Sequence, residues 1–239
     1  MDIQPDLGLL TDRAAHALGQ VDDAALAEIR ELRDDFARFL MPYKFGIDEI
    51  NTKISILREE FSQLHDYNPI EHLSSRLKTP EGIVEKVERK GCNSSFEAIR
   101  ATITDIAGVR VTCSFVSDVY RVFDLLTGQN DIRLMVVKDY IANPKPNGYK
   151  SLHAIVEVPV FLSDGPVAVP VEVQLRTIAM DFWASLEHKI YYKYGRQVPL
   201  DLLDRLKEAA DTASRLDQTM EQLHDEVRGP RSPSVTMEA

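Results

Sequence analysis

Apolar residues recur at spacings of three and four near both ends of the chain and alternate with polar residues in its middle. The first helical runs span residues 25–40 and 47–64, and Pro42 lies between them, where we expect it to break the helix. Asn68-Pro69 ends the second run, because the residue before a proline is pushed out of the helical conformation. The pattern therefore predicts two helices within residues 22–65.

The middle of the chain is typical of strands and short helices. Residues 70–78 favour a strand, after which Thr79-Pro80-Glu81 opens a helix that Gly91 ends. Four further alternating or β-branched runs predict strands at residues 109–115, 132–140, 152–160 and 167–175. A helix is expected over residues 117–126. Thr177 caps another helix, whose apolar stripe is predicted to be Ile178, Phe182, Leu186 and Ile190.

The last helix is predicted over residues 199–228 from a heptad-like seam. Its apolar positions are Leu202, Leu206, Ala209, Ala213, Leu216, Met220, Leu223 and Val227. Such a seam docks on the body of the protein, which we favour, or pairs with another subunit. Residues 229–239 have the composition of a disordered tail. The fold class is therefore α/β of the α+β type, one domain over residues 1–228, with a catalytic core at about 40–195 and helical flanks at 22–65 and 199–228.

Composition narrows the class of protein. The chain has 239 residues, 44% hydrophobic and 28% charged, which is typical of a globular protein. Its net charge of -10 lies mainly in the two ends and argues against a general DNA-coating protein. The apolar runs are too short to span a bilayer, and the acidic N-terminus does not resemble a signal peptide. Two cysteines make neither a disulfide framework nor a zinc cluster. We expect a soluble, cytoplasmic protein.

The run VEVQLR at residues 171–176 carries the first candidate chemistry. On a strand, Glu172, Gln174 and Arg176 share one face, while the intervening apolar residues face the core. An ordinary exposed polar face has the same pattern. Asp105 precedes the strand that carries Arg110, and if that strand neighbours the Glu172 strand, the two carboxylates would converge on one Mg²⁺. The alternative for Asp105 is a loop or N-cap acid.

A basic loop at residues 143–153 and a few cations complete the candidates. The loop offers Lys145 for a phosphate, Tyr149 for stacking on a base, and Asn147 and His153 as polar groups, although a plain turn has the same composition. We expect Gly148 to let the chain turn closely around a ligand. Basic residues lie at Arg76, Lys78, Lys86 and Arg110, where a solvated face is the alternative. The sequence has neither a Walker-type phosphate loop nor a dinucleotide fingerprint.

Three other features are assigned no chemistry. His65-Asp66 and His224-Asp225 have the look of metal-hydrolase pairs, but neither is accompanied by a matching set of ligands. Cys113 is expected in the core.

Several blocks of the chain, in order, resemble the synthetase domain of the RelA/SpoT family, and specifically the small alarmone synthetases. The blocks cover roughly residues 40–195 and read SRLKTPE at 75–81, ITDIAGVR at 103–110, NPKPNGYKSLH at 143–153, VEVQLRT at 171–177 and AMDFWASLEH at 179–188. The resemblance implies a mixed β-sheet core of the nucleotidyltransferase-like synthetase type. It also implies transfer of pyrophosphate from ATP to the 3′-hydroxyl of GTP, GDP or GMP, with AMP released. Synthesis without hydrolysis is expected.

The resemblance also implies roles for individual residues. Asp105 and Glu172 would hold Mg²⁺ at the ATP phosphates, and Glu172 would orient or deprotonate the attacking hydroxyl. On the ATP side, Arg76 and Arg110 would sandwich adenine, and Lys78 and Lys86 would bind the phosphates. On the guanosine side, Tyr149 would stack on guanine, with Lys145, Asn147, His153 and Gln174 around the acceptor. Lys150 and Asp181 differ from some relatives, which leaves acceptor preference open.

The partners implied are ATP, guanosine nucleotides and further copies of the chain as a homotetramer, with no membrane. An allosteric alarmone and a single-stranded RNA are left open as further partners. A catalytically idle nucleotide sensor or RNA-binding regulator on the same fold is the alternative function. A nucleotidyltransferase, which would release pyrophosphate rather than AMP, is a third.

Overall fold

The computed structural model of the protein describes residues 23–193 and 199–228. The predicted tail at 229–239 lies outside the described residues. The chain divides into two compact units, residues 1–41 and 42–239. Its elements in order are α1 (Asp23–Leu64), β1 (Ile70–Leu77), α2 (Pro80–Lys90), α3 (Phe96–Thr102), β2 (Ala107–Cys113), α4 (Val116–Thr127), β3 (Arg133–Asp139), β4 (Leu152–Leu162), β5 (Gly165–Thr177), α5 (Ile178–Lys193) and α6 (Leu200–Arg228).

The break predicted at Pro42 is wrong, because α1 is one helix with Pro42 inside it. A proline within a helix removes one hydrogen bond and costs about 3 kcal/mol. The residues that follow it offset this cost, since each buried large apolar side chain contributes roughly 1.5–3 kcal/mol. The side chains buried along this part of α1 are Tyr43, Ile47, Ile50, Ile54, Leu57 and Phe61.

The second unit is built on a five-stranded mixed sheet in the order β1-β2-β5-β4-β3. β2 and β5 are parallel, and every other neighbouring pair is antiparallel. One face of the central strands is apolar and fully buried, as the alternation predicted, with Val109 and Val111 on β2 and Val171, Val173 and Leu175 on β5. The opposite face therefore carries the polar residues of the same strands.

Capping side chains begin the helices where the sequence predicted. The Thr79 hydroxyl accepts a hydrogen bond from the Gly82 N–H at 3.2 Å, and Gly91 ends α2 in the left-handed conformation at φ 62°. Thr177 caps α5 through the Met180 N–H at 3.1 Å. The short helix α3, which Ser95 caps, was not predicted, because seven residues give too little periodicity to detect.

The faces on which the last two helices pack differ from the prediction. In α5 the predicted stripe residues Ile178, Phe182 and Leu186 are exposed by 52%, 66% and 41%, and Trp183 and Ala184 are buried. Ile190, the last residue of the predicted stripe, packs against this buried pair. The pair packs against Leu206 and Ala210 of α6, and the Trp183 indole donates to the Leu206 carbonyl at 2.9 Å.

The expected docking of the last helix is confirmed in both halves, but only part of the predicted seam is buried. Leu206 is buried, as predicted, but the predicted seam residues Leu216, Met220, Leu223 and Val227 are exposed. The docked face instead continues through Asp217, which accepts a hydrogen bond from the buried Thr177 hydroxyl at 2.7 Å. A polar contact thus replaces an apolar one at the centre of the α6 interface.

Within the part of the chain that the structure describes, no helix has the length and apolar character needed to cross a membrane.

Candidate active site

Two rows of polar residues cross the exposed face of the sheet where β1, β2, β5 and β4 lie side by side. In the first row Gly108 of β2 is opposite both Arg76 of β1 and Glu172 of β5. In the second row Gln174 of β5 is opposite both Arg110 of β2 and His153 of β4. The β2–β5 neighbourhood on which the carboxylate prediction depended is therefore confirmed. These rows line a cleft formed by Ser74, Ser75, Arg76, Gly108, Val109, Arg110, Glu172 and Gln174.

Asp105 lies just before β2 and gathers two of the predicted cations. One carboxylate oxygen, Oδ2, is paired with the Lys78 ammonium at 3.2 Å and with the Lys86 ammonium at shorter range. The other oxygen, Oδ1, is buried and has no hydrogen-bond partner among the described residues. Burial by itself raises the pKa of Asp105, but the two lysines outweigh it and hold the pKa below its ordinary value. Asp105 is therefore an ionised carboxylate with one free, buried oxygen.

Glu172 is held at the centre of the face by two donors. Gln174 Nε2 donates to Oε2 at 2.8 Å, and His153 Nδ1 lies 3.3 Å from Oε1. Burial raises the pKa of Glu172, but the hydrogen bond and charge of His153 and the hydrogen bond of Gln174 bring the net pKa below its ordinary value. The charge of Asp105 acts in the opposite direction and raises the pKa of Glu172. Asp105 comes three residues before Gly108, which is opposite Glu172, so the two carboxylates belong to the same end of the β2–β5 pair. Glu172 is therefore ionised at neutral pH.

Tyr149 connects this carboxylate to the basic loop. Its hydroxyl accepts a hydrogen bond from Arg176 Nη2 at 2.6 Å and lies 2.7 Å from His153 Nε2. Because a guanidinium has only donors, the hydroxyl hydrogen is left for His153 Nε2. In a neutral imidazole the ring proton is then on Nδ1, which donates to Glu172.

The Tyr149 ring packs beside cations and a second aromatic ring. Lys145 Nζ lies 4.5 Å from its centroid, and the Tyr140 ring lies edge-on at 6.1 Å. Asn147 is tied to α5, because its Nδ2 donates to Glu187 at 3.0 Å. The predicted guanosine-side residues are thus brought together, although stacking of a base on Tyr149 stays a prediction.

Two residues of the basic loop, Gly148 and Lys150, contact α6 rather than the cleft. The Lys150 ammonium donates to the Ser214 hydroxyl of α6 at 2.5 Å. Gly148 has φ 87°, and an added Cβ would lie 2.6 Å from the Ala210 Cβ. Gly148 therefore lies closely against α6, while the expectation that the loop turns around a ligand stays a prediction.

Arg176 is the site residue whose importance the sequence reasoning missed. Its guanidinium is 5% exposed and donates to Tyr149, to Gln174 Oε1 at 3.0 Å, to Ser151 at 3.3 Å and to Asp181 at 3.2 Å. Alternation along β5 already placed it beside Glu172 and Gln174, but it gave no sign of four partners.

The residues assigned no chemistry also have places in the fold. Cys113 is buried in the core, as predicted, and burial raises the pKa of its thiol. The His224 ring packs against Phe115 at 4.4 Å and Tyr67 at 4.9 Å, and the His65 ring lies 5.2 Å from Phe61.

Comparison with known proteins identifies the arrangement. A family described as a region found in RelA/SpoT proteins matches residues 75–197. The chain is 50% identical over 200 residues to the GTP pyrophosphokinase YwaC of Bacillus subtilis, covering 84% of this chain and 95% of that protein. It is 38% identical over 191 residues to YjbM, a GTP pyrophosphokinase of the same organism, covering 80% of this chain and 89% of YjbM.

Solved structures agree with the sequence matches. The small alarmone synthetase 2 from Bacillus subtilis has a TM-score of 0.74 and 51% identity, covering 80% of this chain and 99% of that one. The small alarmone synthetase 1 of the same organism, bound to its product pppGpp, has a TM-score of 0.75 and 38% identity, covering 81% of this chain and 98% of that one. The chain therefore belongs to the RelA/SpoT family.

Proposed function

We propose that the protein is a small alarmone synthetase, which transfers pyrophosphate from ATP to the 3′-hydroxyl of a guanosine nucleotide and releases AMP. The observation that carries the proposal is the place of Glu172 between two sets of basic and aromatic side chains on one sheet face. Arg76 and Arg110 lie on the β1–β2 side of it, and Tyr149 and His153 lie on the β4 side. The relatives named GTP pyrophosphokinase support the same reaction.

On the donor side, we assign Arg76 and Arg110 to adenine and Lys78 and Lys86 to the ATP phosphates. Planar guanidinium groups stack on aromatic rings, whereas ammonium groups act as point charges toward phosphate. The two lysines now neutralise Asp105, so they already converge on one anionic centre. Bound phosphates would replace part of that interaction.

On the acceptor side, we assign Tyr149 to guanine and Lys145, Asn147, His153 and Gln174 to the rest of the nucleotide. Glu172 would accept a hydrogen bond from the 3′-hydroxyl, since it is ionised and acceptor-only. The 3′-oxygen bonds to the β-phosphorus of ATP. The bond between that phosphorus and the oxygen that bridges it to the α-phosphorus breaks, and AMP leaves with this oxygen. The hydroxyl proton passes to Glu172, and His153 and Gln174 hold the carboxylate in place.

Magnesium is the metal that we propose for this site. Carboxylate oxygens together with substrate phosphates are its usual environment, and the unpartnered buried Oδ1 of Asp105 near the Glu172 carboxylate fits that preference. Within the described ranges no cluster of three or more potential side-chain ligands occurs, so phosphates and water would complete the shell. When bound, the ion would neutralise charge on the transferring phosphates.

A product assay tests the proposal. Purified protein with Mg²⁺, labelled ATP and GTP, GDP or GMP in separate reactions is expected to yield AMP and a 3′-pyrophosphorylated guanosine nucleotide. Glu172→Gln should abolish product while both nucleotides still bind, because the substitution removes the charge and the proton acceptor at position 172 but keeps the size of the side chain. Glu157→Gln is the matched control, since Glu157 pairs with Arg133 on the same sheet outside the cleft.

The other outcomes of this assay are equally definite. Nucleotide binding by the wild type without product from any acceptor would refute the synthetase and favour the nucleotide sensor. Release of labelled pyrophosphate instead of AMP would favour a nucleotidyltransferase. An active Glu172→Gln variant would refute the role of Glu172.

The homotetramer, the cytoplasmic location and the absence of hydrolase activity stay predictions, as do an allosteric alarmone and a bound single-stranded RNA. Contact between copies is supported by the exposed apolar stripe of α6, formed by Leu216, Met220, Leu223 and Val227. Sedimentation equilibrium of the full chain measures the number of subunits. Met220→Glu should lower that number if the stripe is a subunit contact.

A further inference from the structure

Asp181, in the first turn of α5, joins two arginines that belong to different sides of the cleft. Its Oδ1 lies 3.2 Å from Arg110 Nη1 and 3.2 Å from Arg176 Nη1. One carboxylate oxygen is therefore shared between two cations. α5 fixes the position of Asp181, because Thr177 caps this helix and is itself bonded to Asp217 of α6.

The two arginines differ in how firmly they are held. Arg176 is almost fully buried and has acceptors in Ser151, Tyr149 and Gln174 besides Asp181. The side chain of Arg110 is 35% exposed, and its buried Nε has no hydrogen-bond partner in the part of the chain that the structure describes. A ligand in the cleft will therefore move Arg110 more readily than Arg176.

Repulsion between like charges also makes Arg110 easier to move. The positive charges of Arg176 and Arg76 repel the Arg110 guanidinium, whereas the negative charge of Asp181 attracts it. Two guanidinium groups that share one oxygen compete for it, so each interaction is weaker than an undivided pair. When Arg110 turns to a ligand, the whole carboxylate becomes available to Arg176.

Arg176 carries the effect to the acceptor side. It positions the Tyr149 hydroxyl and the Gln174 carbonyl oxygen, and Gln174 in turn donates to Glu172. An Arg176 guanidinium that is held more tightly therefore orders the Tyr149 side chain and the Glu172 carboxylate more strongly.

We propose that Asp181 is a positioning residue that couples the two nucleotide sites, so that ATP in the cleft strengthens binding of the guanosine nucleotide and the reverse. This inference rests on the proposed function, which assigns Arg110 to ATP and Tyr149 to guanosine. Coupling between binding sites is reciprocal by thermodynamic necessity. The effect requires no movement of α5, only a redistribution of two ion pairs at one oxygen.

Calorimetric titration with GDP, at fixed Mg²⁺ and with or without saturating α,β-methylene-ATP, measures the coupling. This analogue cannot transfer its terminal groups, because a methylene replaces the oxygen whose bond breaks. In the wild type, the analogue is expected to lower the GDP dissociation constant about 5-fold or more. In Asp181→Asn that factor should fall below about 2, while each nucleotide alone still binds, since an amide keeps the shape but loses the charge.

Two further variants sharpen the result. Glu157→Gln removes one negative charge outside the cleft and should keep the wild-type factor. Asp181→Glu keeps the charge at position 181 and should retain a coupling factor of at least about 3. This variant also tests the proposal if Asp181→Asn does not fold.

Each remaining outcome is decisive. If the wild type binds both nucleotides independently, or if Asp181→Asn keeps the full factor, the coupling role of Asp181 is refuted and the proposed function stands. A factor of one in a well-folded Asp181→Glu would also refute it. If the wild type binds neither GDP nor the analogue, the proposed function itself fails.

Discussion

Replacing Gly148 with alanine tests whether α6 supports the basic loop at residues 143–153. Gly148 has φ 87°, and a new Cβ would lie 2.6 Å from the Ala210 Cβ and 3.6 Å from the Lys207 Cα. Methyl and methylene carbons do not approach within 3.0 Å without a shift of the backbone or side chain. Because Ala210 has only a methyl group, it cannot turn aside, so the loop or the helix has to move.

The expected cost has two parts. An alanine in the left-handed region costs about 1–2 kcal/mol. Overpacking against a helix adds about 1–3 kcal/mol, so the free energy of unfolding should fall by roughly 2–5 kcal/mol. In a chain of this size each kcal/mol lowers the melting temperature by about 2–4 °C.

Urea unfolding at fixed protein concentration separates the two parts. Gly91→Ala is the matched control, because Gly91 has φ 62° and an added Cβ there would meet no atom of residues 23–193 and 199–228 within 4 Å. Its loss should be limited to the conformational part. Ala210→Gly combined with Gly148→Ala should recover the steric part, measured as an interaction energy in the double-mutant cycle. Equal losses for Gly148→Ala and Gly91→Ala, or no interaction energy, would refute the reasoning.

Two further predictions concern the acceptor site and its support. Tyr149→Ala should raise the KM for the guanosine nucleotide about 10-fold or more while the KM for ATP changes little, because stacking on a base contributes roughly 1–3 kcal/mol. Asp217→Asn should flatten the pH dependence of stability. Burial, with the charge of Glu221, holds the pKa of Asp217 above its ordinary value despite the Thr177 hydrogen bond. The folded protein therefore holds the Asp217 proton more firmly, and wild-type stability falls as pH rises through that raised pKa.

Their controls are single substitutions. Tyr149→Phe keeps the ring and loses the hydroxyl contacts with Arg176 and His153, so it should keep most of the wild-type affinity. An unchanged KM for the guanosine nucleotide in Tyr149→Ala would contradict stacking. Urea unfolding from pH 4 to 7 measures the second effect. Asp211→Asn removes a charge from an exposed position of α6 and should keep the wild-type slope. An Asp217→Asn variant with the same slope as the wild type would contradict the assignment.

Most of the fold follows from local rules that the sequence displays. Alternating or β-branched runs predicted four of the five strands in the described residues, and residues 70–78 were predicted as the remaining one. The capping residues Thr79 and Thr177 fixed two helix starts to within a residue or two. These signals are local, so reading them requires no knowledge of the neighbours. Pro42 shows the limit, because burial of the following side chains decides whether a helix continues through a proline.

Packing faces were harder to predict than elements. In α5 the apolar stripe of Ile178, Phe182 and Leu186 is exposed, and Trp183 and Ala184 meet α6. Both faces are apolar enough to be buried, so periodicity gives two answers and only the neighbouring helix chooses between them. The same holds along α6, where Asp217 occupies a position that hydropathy alone would assign to solvent.

Candidate residues and their connections follow from different kinds of information. Glu172, Gln174 and Arg176 were placed on one face by alternation, and the register of β2 against β5 brought Arg110 beside them. No sequence spacing reveals that Arg110 and Arg176 share one oxygen of Asp181, because that contact depends on where α5 leaves the end of β5. The residue types of the site can thus be predicted from the sequence. The contacts of Asp181 with Arg110 and Arg176, on which the proposed coupling of the two nucleotide sites rests, are seen only in the folded protein. For this reason a substitution at Asp181, outside the first set of candidates, tests the arrangement more directly than another change at Glu172.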